Sequence, residues 1–162
     1  MVEENSWHKA YDVVNSMIDT SQLKQIDYDE MSSREPKITV ITEWQIFWIK
    51  YRINFYSQWH PCAYINIPKT SELIDILQKE WYDWIPFQTC HWWMTFWQYV
   101  SEWDIRLPEW RWIGWDYWHA WDYADYMKDM SWASELHKRT TEEILVDIVE
   151  QIMVFREKSY LI

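Results

Sequence analysis

At 162 residues the chain is long enough to bury a core of its own as one domain. Its net charge of −11 and sequence pI near 4.8 oppose binding to nucleic-acid phosphates or to an anionic membrane surface. The acidic start "MVEENSWHKAYD" is no signal peptide, no apolar run is long enough for a membrane span, and Cys62 and Cys90 form no C-x-x-C pair, so a cytoplasmic setting is expected.

The first predicted element is a short helix. Ser6 can cap it, and Ala10, Val13, Val14, Met17 and Ile18 follow at helical spacing. The text from Thr20 to Pro36 is polar and irregular, so residues 1–36 read as a helix plus an arm, and residues 37–162 as the α+β domain proper. "KITVIT", "IFWIKYRINFY" and "CAYINIP" are rich in β-branched and aromatic residues and read as strands. Glycine at position 44 would place a hairpin turn between the first two.

"SELIDILQKE" reads as a turn or two of helix capped by Ser71. Extended structure resumes in "IPFQTCHWWMTF" and again in "RWIGWDY". In the latter, Trp112, Gly114 and Asp116 share one face, and Ile113, Trp115 and Tyr117 the other. "DYADYMKDMSWASELHKR" reads as a loop with helical turns. The last element is an amphipathic helix. Thr140 and Glu143 have capping-box spacing, and Ile144, Leu145, Ile148, Val149, Ile152 and Phe155 form its apolar stripe. The pattern predicts an α+β fold in which a small antiparallel sheet packs against the C-terminal helix, with a short helix at the N-terminus. Any exposed part of that stripe would serve a homo-oligomer.

One glycine and sixteen tryptophans are an unusual pair of counts, since average usage would give about eleven glycines. Fourteen of the tryptophans lie from Trp44 to Trp121, several in turn-like contexts: Trp59 before His60-Pro61, Trp103 after Ser101-Glu102, Trp110 after Pro108-Glu109. Three readings account for this: an aromatic-rich binding protein, a deliberate substitution set, or a gene whose UGA codons specify glycine. Only the third explains the missing glycines and the tryptophan positions together.

Two loop segments bring two imidazoles and two carboxylates into play, His91, Asp116, His119 and Asp122. This donor set suits a divalent metal such as Zn, Mn or Fe, which would activate water for hydrolysis with Asp83 or Asp104 as a nearby base. The same residues suit a metal-free pocket for a small polar or phosphate-bearing ligand. They also suit plain turn-capping with no ligand at all. Cys90 beside His91 is no nucleophile pair, because adjacent strand residues face opposite ways. His8, His60 and His137 stand alone and are expected at the surface. No phosphate-binding loop, nucleophile elbow or dinucleotide fingerprint is present.

Read with glycine at the suspect tryptophans, residues 91–123 contain H-G-G-M-T-F and then W-I-G-W-D-Y-G-H-A-G-D. This resembles a family of small phage and mobile-element proteins that carry H-G-G-[LIM]-T-[FY] followed by W-x-I-G-[FW]-D-x-A-H-x-G-D. His91, Met94, Thr95, Phe96, Trp112, Ile113, Gly114, Trp115, Asp116, His119 and Asp122 match, and "AYINIP" is similar to the family's upstream strand. Trp92, Trp93 and Trp121 depart from it where the family has glycine, and Trp118 where it has a small residue. The resemblance implies a phage or mobile-element setting and a ligand site at His91, Thr95, Asp116, His119 and Asp122; it carries no reaction. With the tryptophans taken literally, a carbohydrate- or nucleoside-binding module or an interaction protein is the alternative.

Overall fold

The computed structural model describes residues 6–32, 35, 37–57, 59–68, 96–97, 112–119 and 121–157. His91, Thr95, Cys90, Asp83, Asp104 and the helix expected at 71–80 lie outside the described residues.

Helix α1 spans Ser6–Met17, α2 Tyr28–Ser32 and α3 Thr141–Glu157; the strands are β1 Ile38–Ile46, β2 Ile49–Tyr56, β3 Pro61–Asn66, β4 Phe96–Trp97 and β5 Trp112–Asp116. The sheet is antiparallel throughout, in the order β1-β2-β3-β5-β4. The α+β reading holds: an antiparallel sheet, a C-terminal helix against it and a short N-terminal helix.

The β1–β2 turn falls at Phe47-Trp48 rather than at Trp44, which sits inside β1 opposite Tyr51. Ile46 pairs with Ile49 across a two-residue loop whose residues both have positive φ, 51° and 66°. That is the mark of a type I′ turn, whose twist matches that of the flanking strands. Further along β1 the register shifts between Val40 and Thr42. Ile41 and Ile46 are five apart, of opposite strand parity, and this bulge lets both reach the core.

Alternation along the strands separates two faces. Tyr51, Ile53, Phe55, Ala63, Ile65, Ile113, Trp115 and Tyr117 enter one core with α3, whose six predicted stripe residues are all fully buried. Each such aliphatic side chain contributes about 2 kcal/mol of transfer free energy. Because the chain itself covers that stripe, it offers no open face to a second copy.

The capping box forms as the spacing predicts, with Glu143 N–H donating to Thr140 Oγ1 at 3.2 Å. Ser6 differs. It is the first helical residue, and its hydroxyl donates to Glu150 Oε1 of α3 at 2.8 Å, fastening α1 to α3. The arm after α1 holds a turn of 3-10 helix at Thr20–Gln22 and then α2, whose Tyr28 and Met31 enter the main core. Three polar ties hold it among the described residues: Tyr28 Oη donates to the Arg139 carbonyl and Thr141 Oγ1 to the Lys24 carbonyl, each at 2.8 Å, and Gln25 Nε2 donates to Glu142 Oε1. Among the described residues no helix is long and apolar enough to cross a membrane.

Candidate functional site

The second face of the sheet is chemically different. Asp116 ends β5 and is paired across the ladder with Cys62 on β3, so the two side chains share this face. Asp116 Oδ1 accepts the Trp118 N–H at 3.2 Å and lies 3.3 Å from His119 Nε2. The carboxylate therefore caps the turn leaving the strand and lies beside the imidazole. His119 and Asp116 side chains keep 16% and 22% of their exposure, although His119 Nε2 itself is buried.

Asp122 has another role. Its amide N–H donates to the His119 carbonyl at 3.0 Å, closing a four-residue turn, and its Oδ2 accepts the His119 N–H at 3.1 Å. Oδ1 accepts from Arg139 Nε at 3.1 Å, and the side chain is almost wholly buried. Both carboxylate oxygens thus serve protein donors. Trp121, third residue of the turn, has φ of 75°. The segment is locked onto residue 137: His137 N–H donates to the Trp121 carbonyl at 2.7 Å, and Tyr123 N–H to the His137 carbonyl at 2.9 Å.

His60 was expected at the surface alone, and it is neither. It is half-buried, with its ring stacked flat against Trp118 at an interplanar angle of 6° and a centroid distance of 5.8 Å. Its Nδ1 lies 3.2 Å from the Pro61 carbonyl and 3.4 Å from Cys62 Sγ. Burial pushes the imidazole pKa below its ordinary value, while Asp116 and Asp122 act the other way and His119 adds to the depression. His60 is held neutral near pH 7 in consequence. Trp59, Trp118 and Tyr126 form an exposed aromatic group beside it, joined by a hydrogen bond from Trp118 Nε1 to Tyr126 Oη at 2.9 Å.

Of the sequence-predicted residues, Asp116 and His119 come together, Asp122 is joined to them through the backbone of its turn, and His91 and Thr95 lie outside the described residues. Among the described residues no three His, Cys, Asp or Glu side chains are grouped to hold a metal ion. Sequence reasoning missed His60, Cys62 and Arg139. The first two were within reach, because "HPC" begins a strand and residues two apart share a face. Arg139 gave no such signal, since its partner is set by the loop path.

The chain matches no known family model, no curated protein and no solved structure.

Proposed function

We propose that the corner where β3 begins and β5 ends binds a small polar ligand, with Asp116 and His119 touching it and His60 behind them. One observation supports this reading above the others: a partly exposed carboxylate–imidazole pair, Asp116 with His119, at the sheet end beside the half-buried imidazole of His60. Asp122 and Arg139 hold the turn that presents His119. Among the described residues the guanidinium of Arg139 already faces Asp122 and Glu143, which favours a neutral or cationic ligand over a phosphate. The test is a thermal-shift series with adenosine, glucose, inorganic phosphate and lysine on the wild type and on His119→Ala. A rise in Tm with at least one probe, lost in the variant, is expected; no response from the wild type to any of them overturns the reading.

The metal-dependent hydrolase stays an alternative that needs His91 to complete its ligand set. Stoichiometric binding of Zn²⁺ or Mn²⁺ by the purified protein, abolished by His91→Ala, would favour it. The phage or mobile-element setting rests on the sequence resemblance alone.

The same reading takes the tryptophans at 48 and 121 as glycine positions of the natural gene. Trp48 is the second residue of a type I′ loop and Trp121 the third residue of a turn with the φ of type II, two places where turn chemistry favours glycine. They are 88% and 72% exposed, whereas Trp112 and Trp115 are 3% and 1% exposed. Glycine at 118 as well would uncover His60. Codons in the gene, together with the intact mass of protein from its native host, decide it: UGA at 48 and 121 supports glycine, and UGG there rules it out.

A further inference from the structure

A cleft of about 440 Å³ lies between the arm after α1 and the segment that leads into α3. Its volume falls within the range of small-molecule sites. Ile26, Asp27, Tyr28 and Asp29 line one wall and Lys138 and Arg139 the other, and neither Asp116 nor His119 is among its described lining residues. The walls are fastened together: Tyr28 Oη donates to the Arg139 carbonyl and Thr141 Oγ1 to the Lys24 carbonyl, each at 2.8 Å. The cleft is thus formed before any ligand arrives, which lowers the ordering cost of binding.

Its lining divides into apolar surface and charge. Tyr28 is buried, with its ring edge-to-face with Phe55 and Tyr123, and half-buried Ile26 packs against the same core. Lys138 stands over the aromatic rings, its Nζ 5.9 Å from the Tyr28 centroid and 4.7 Å from that of Tyr123. Among the described residues no carboxylate pairs with this ammonium. Asp29, on the other wall, likewise has no ion-pair or hydrogen-bond partner among them. The two side chains still act on one ring. Burial, then the charges of Asp125, Asp29 and Asp129, raise the pKa of the Tyr123 hydroxyl, and Lys138 covers the same side chain. Asp27 spends Oδ1 on the Glu30 N–H at 2.9 Å, and its charge adds to the negative wall.

We infer that this cleft binds a free α-amino acid with an apolar side chain: Lys138 meets the carboxylate, Asp29 and Asp27 the ammonium, and Ile26 and Tyr28 the side chain. The cleft does not depend on the Asp116–His119 corner. Opposite charges held on two walls and not joined to each other match a ligand that carries both signs. A phosphate would meet Lys138 against two carboxylates, because the Arg139 side chain already faces Asp122 and Glu143. A polyamine would be repelled by Lys138. An amino acid carries its two charges on one carbon and turns its side chain to the apolar part of the lining.

Calorimetric titration of the full chain with leucine, methionine and phenylalanine, repeated on Lys138→Met and Asp29→Asn, tests this assignment. At least one amino acid is expected to bind the wild type, with affinity about tenfold weaker in each variant, since each loses a charge-assisted hydrogen bond. Both side chains are exposed, so both variants are expected to melt within about 2 °C of the wild type. The amide of the bound amino acid, which lacks the carboxylate, and its deamino acid, which lacks the ammonium, should each bind at least about tenfold more weakly. Failure of all three amino acids to bind overturns the inference. So does equal binding of either analogue, or binding that survives both substitutions. Binding lost in His119→Ala but kept in Lys138→Met would place the amino acid at the corner and also overturns the cleft.

Discussion

The two faces of the sheet are built from the same strands and do opposite things. Toward α3, odd-numbered positions such as Ile53, Phe55, Ile65, Ile113 and Trp115 close a continuous apolar core. On the far side, even-numbered neighbours place a small cluster of Tyr56, Cys62, Tyr64 and Trp112, with the polar Asn54 and Asp116 beside it. Apolar packing needs only surface and shape, whereas the far face also buries the Asn54 amide and Trp112 Nε1 without a hydrogen-bond partner among the described residues. The first face holds the larger core, and the proposed ligand corner lies at the edge of the second.

Trp115→Gly probes the first face hardest. It removes a side chain 1% exposed whose Nε1 donates to Tyr117 Oη at 3.0 Å, next to the bond from that hydroxyl to Asp147 at 2.7 Å. A loss of about 4 kcal/mol is expected in urea unfolding. A loss under about 1 kcal/mol would mean that this face is not the principal core.

On the far face Gly114→Ala is the sharper probe. A Cβ there would lie 2.5 Å from Tyr64 Cδ1 and 2.6 Å from the Ala63 carbonyl oxygen, and the latter is backbone that cannot swing aside. About 2 kcal/mol of destabilisation is expected from the same measurement.

Acidification separates His60 from Glu150. Burial lowers the His60 pKa, so the unfolded chain binds that proton more readily and stability falls as pH drops below about 6.5. Burial raises the Glu150 pKa, with the Ser6 hydrogen bond opposing it, so this group adds stability as pH falls toward its unfolded value. His60→Gln should flatten the fall, and Glu150→Gln should remove the compensating gain, both read from Tm between pH 7 and 4.5.

The smallest effect belongs to the turn. Trp48→Gly relieves a positive φ of 66° and is expected to add about 1 kcal/mol, near 3 °C in Tm. Trp48→Ala keeps the Cβ and should gain less; equal gains would assign the effect to loss of the exposed indole instead.

These contrasts also explain what the sequence made legible. Periodicity of α3 and alternation in "RWIGWDY" identified the helix-facing core residue by residue, because burial follows from parity and pitch. The first hairpin was placed four residues early, since Trp48 carries no turn signal and only the backbone reveals its φ. α2 was hidden in a polar arm, where two residues, Tyr28 and Met31, do the anchoring. Asp116 and His119 could be paired from their spacing. The approach of His60 to that pair depends on strand order, which one sequence does not encode locally.

The bond from Ser6 to Glu150 joins residues 144 positions apart. Closing so long a loop costs little more at equilibrium than a loop half its length, because the entropy grows only logarithmically. Kinetically it is another matter. The β1–β2 hairpin, with its two-residue loop, brings together residues near in sequence and forms early, while α1 can seat on α3 only after the intervening chain has found its place. Topology thus predicts an order of events in folding, with the hairpin pairing early and α1 docking among the last steps.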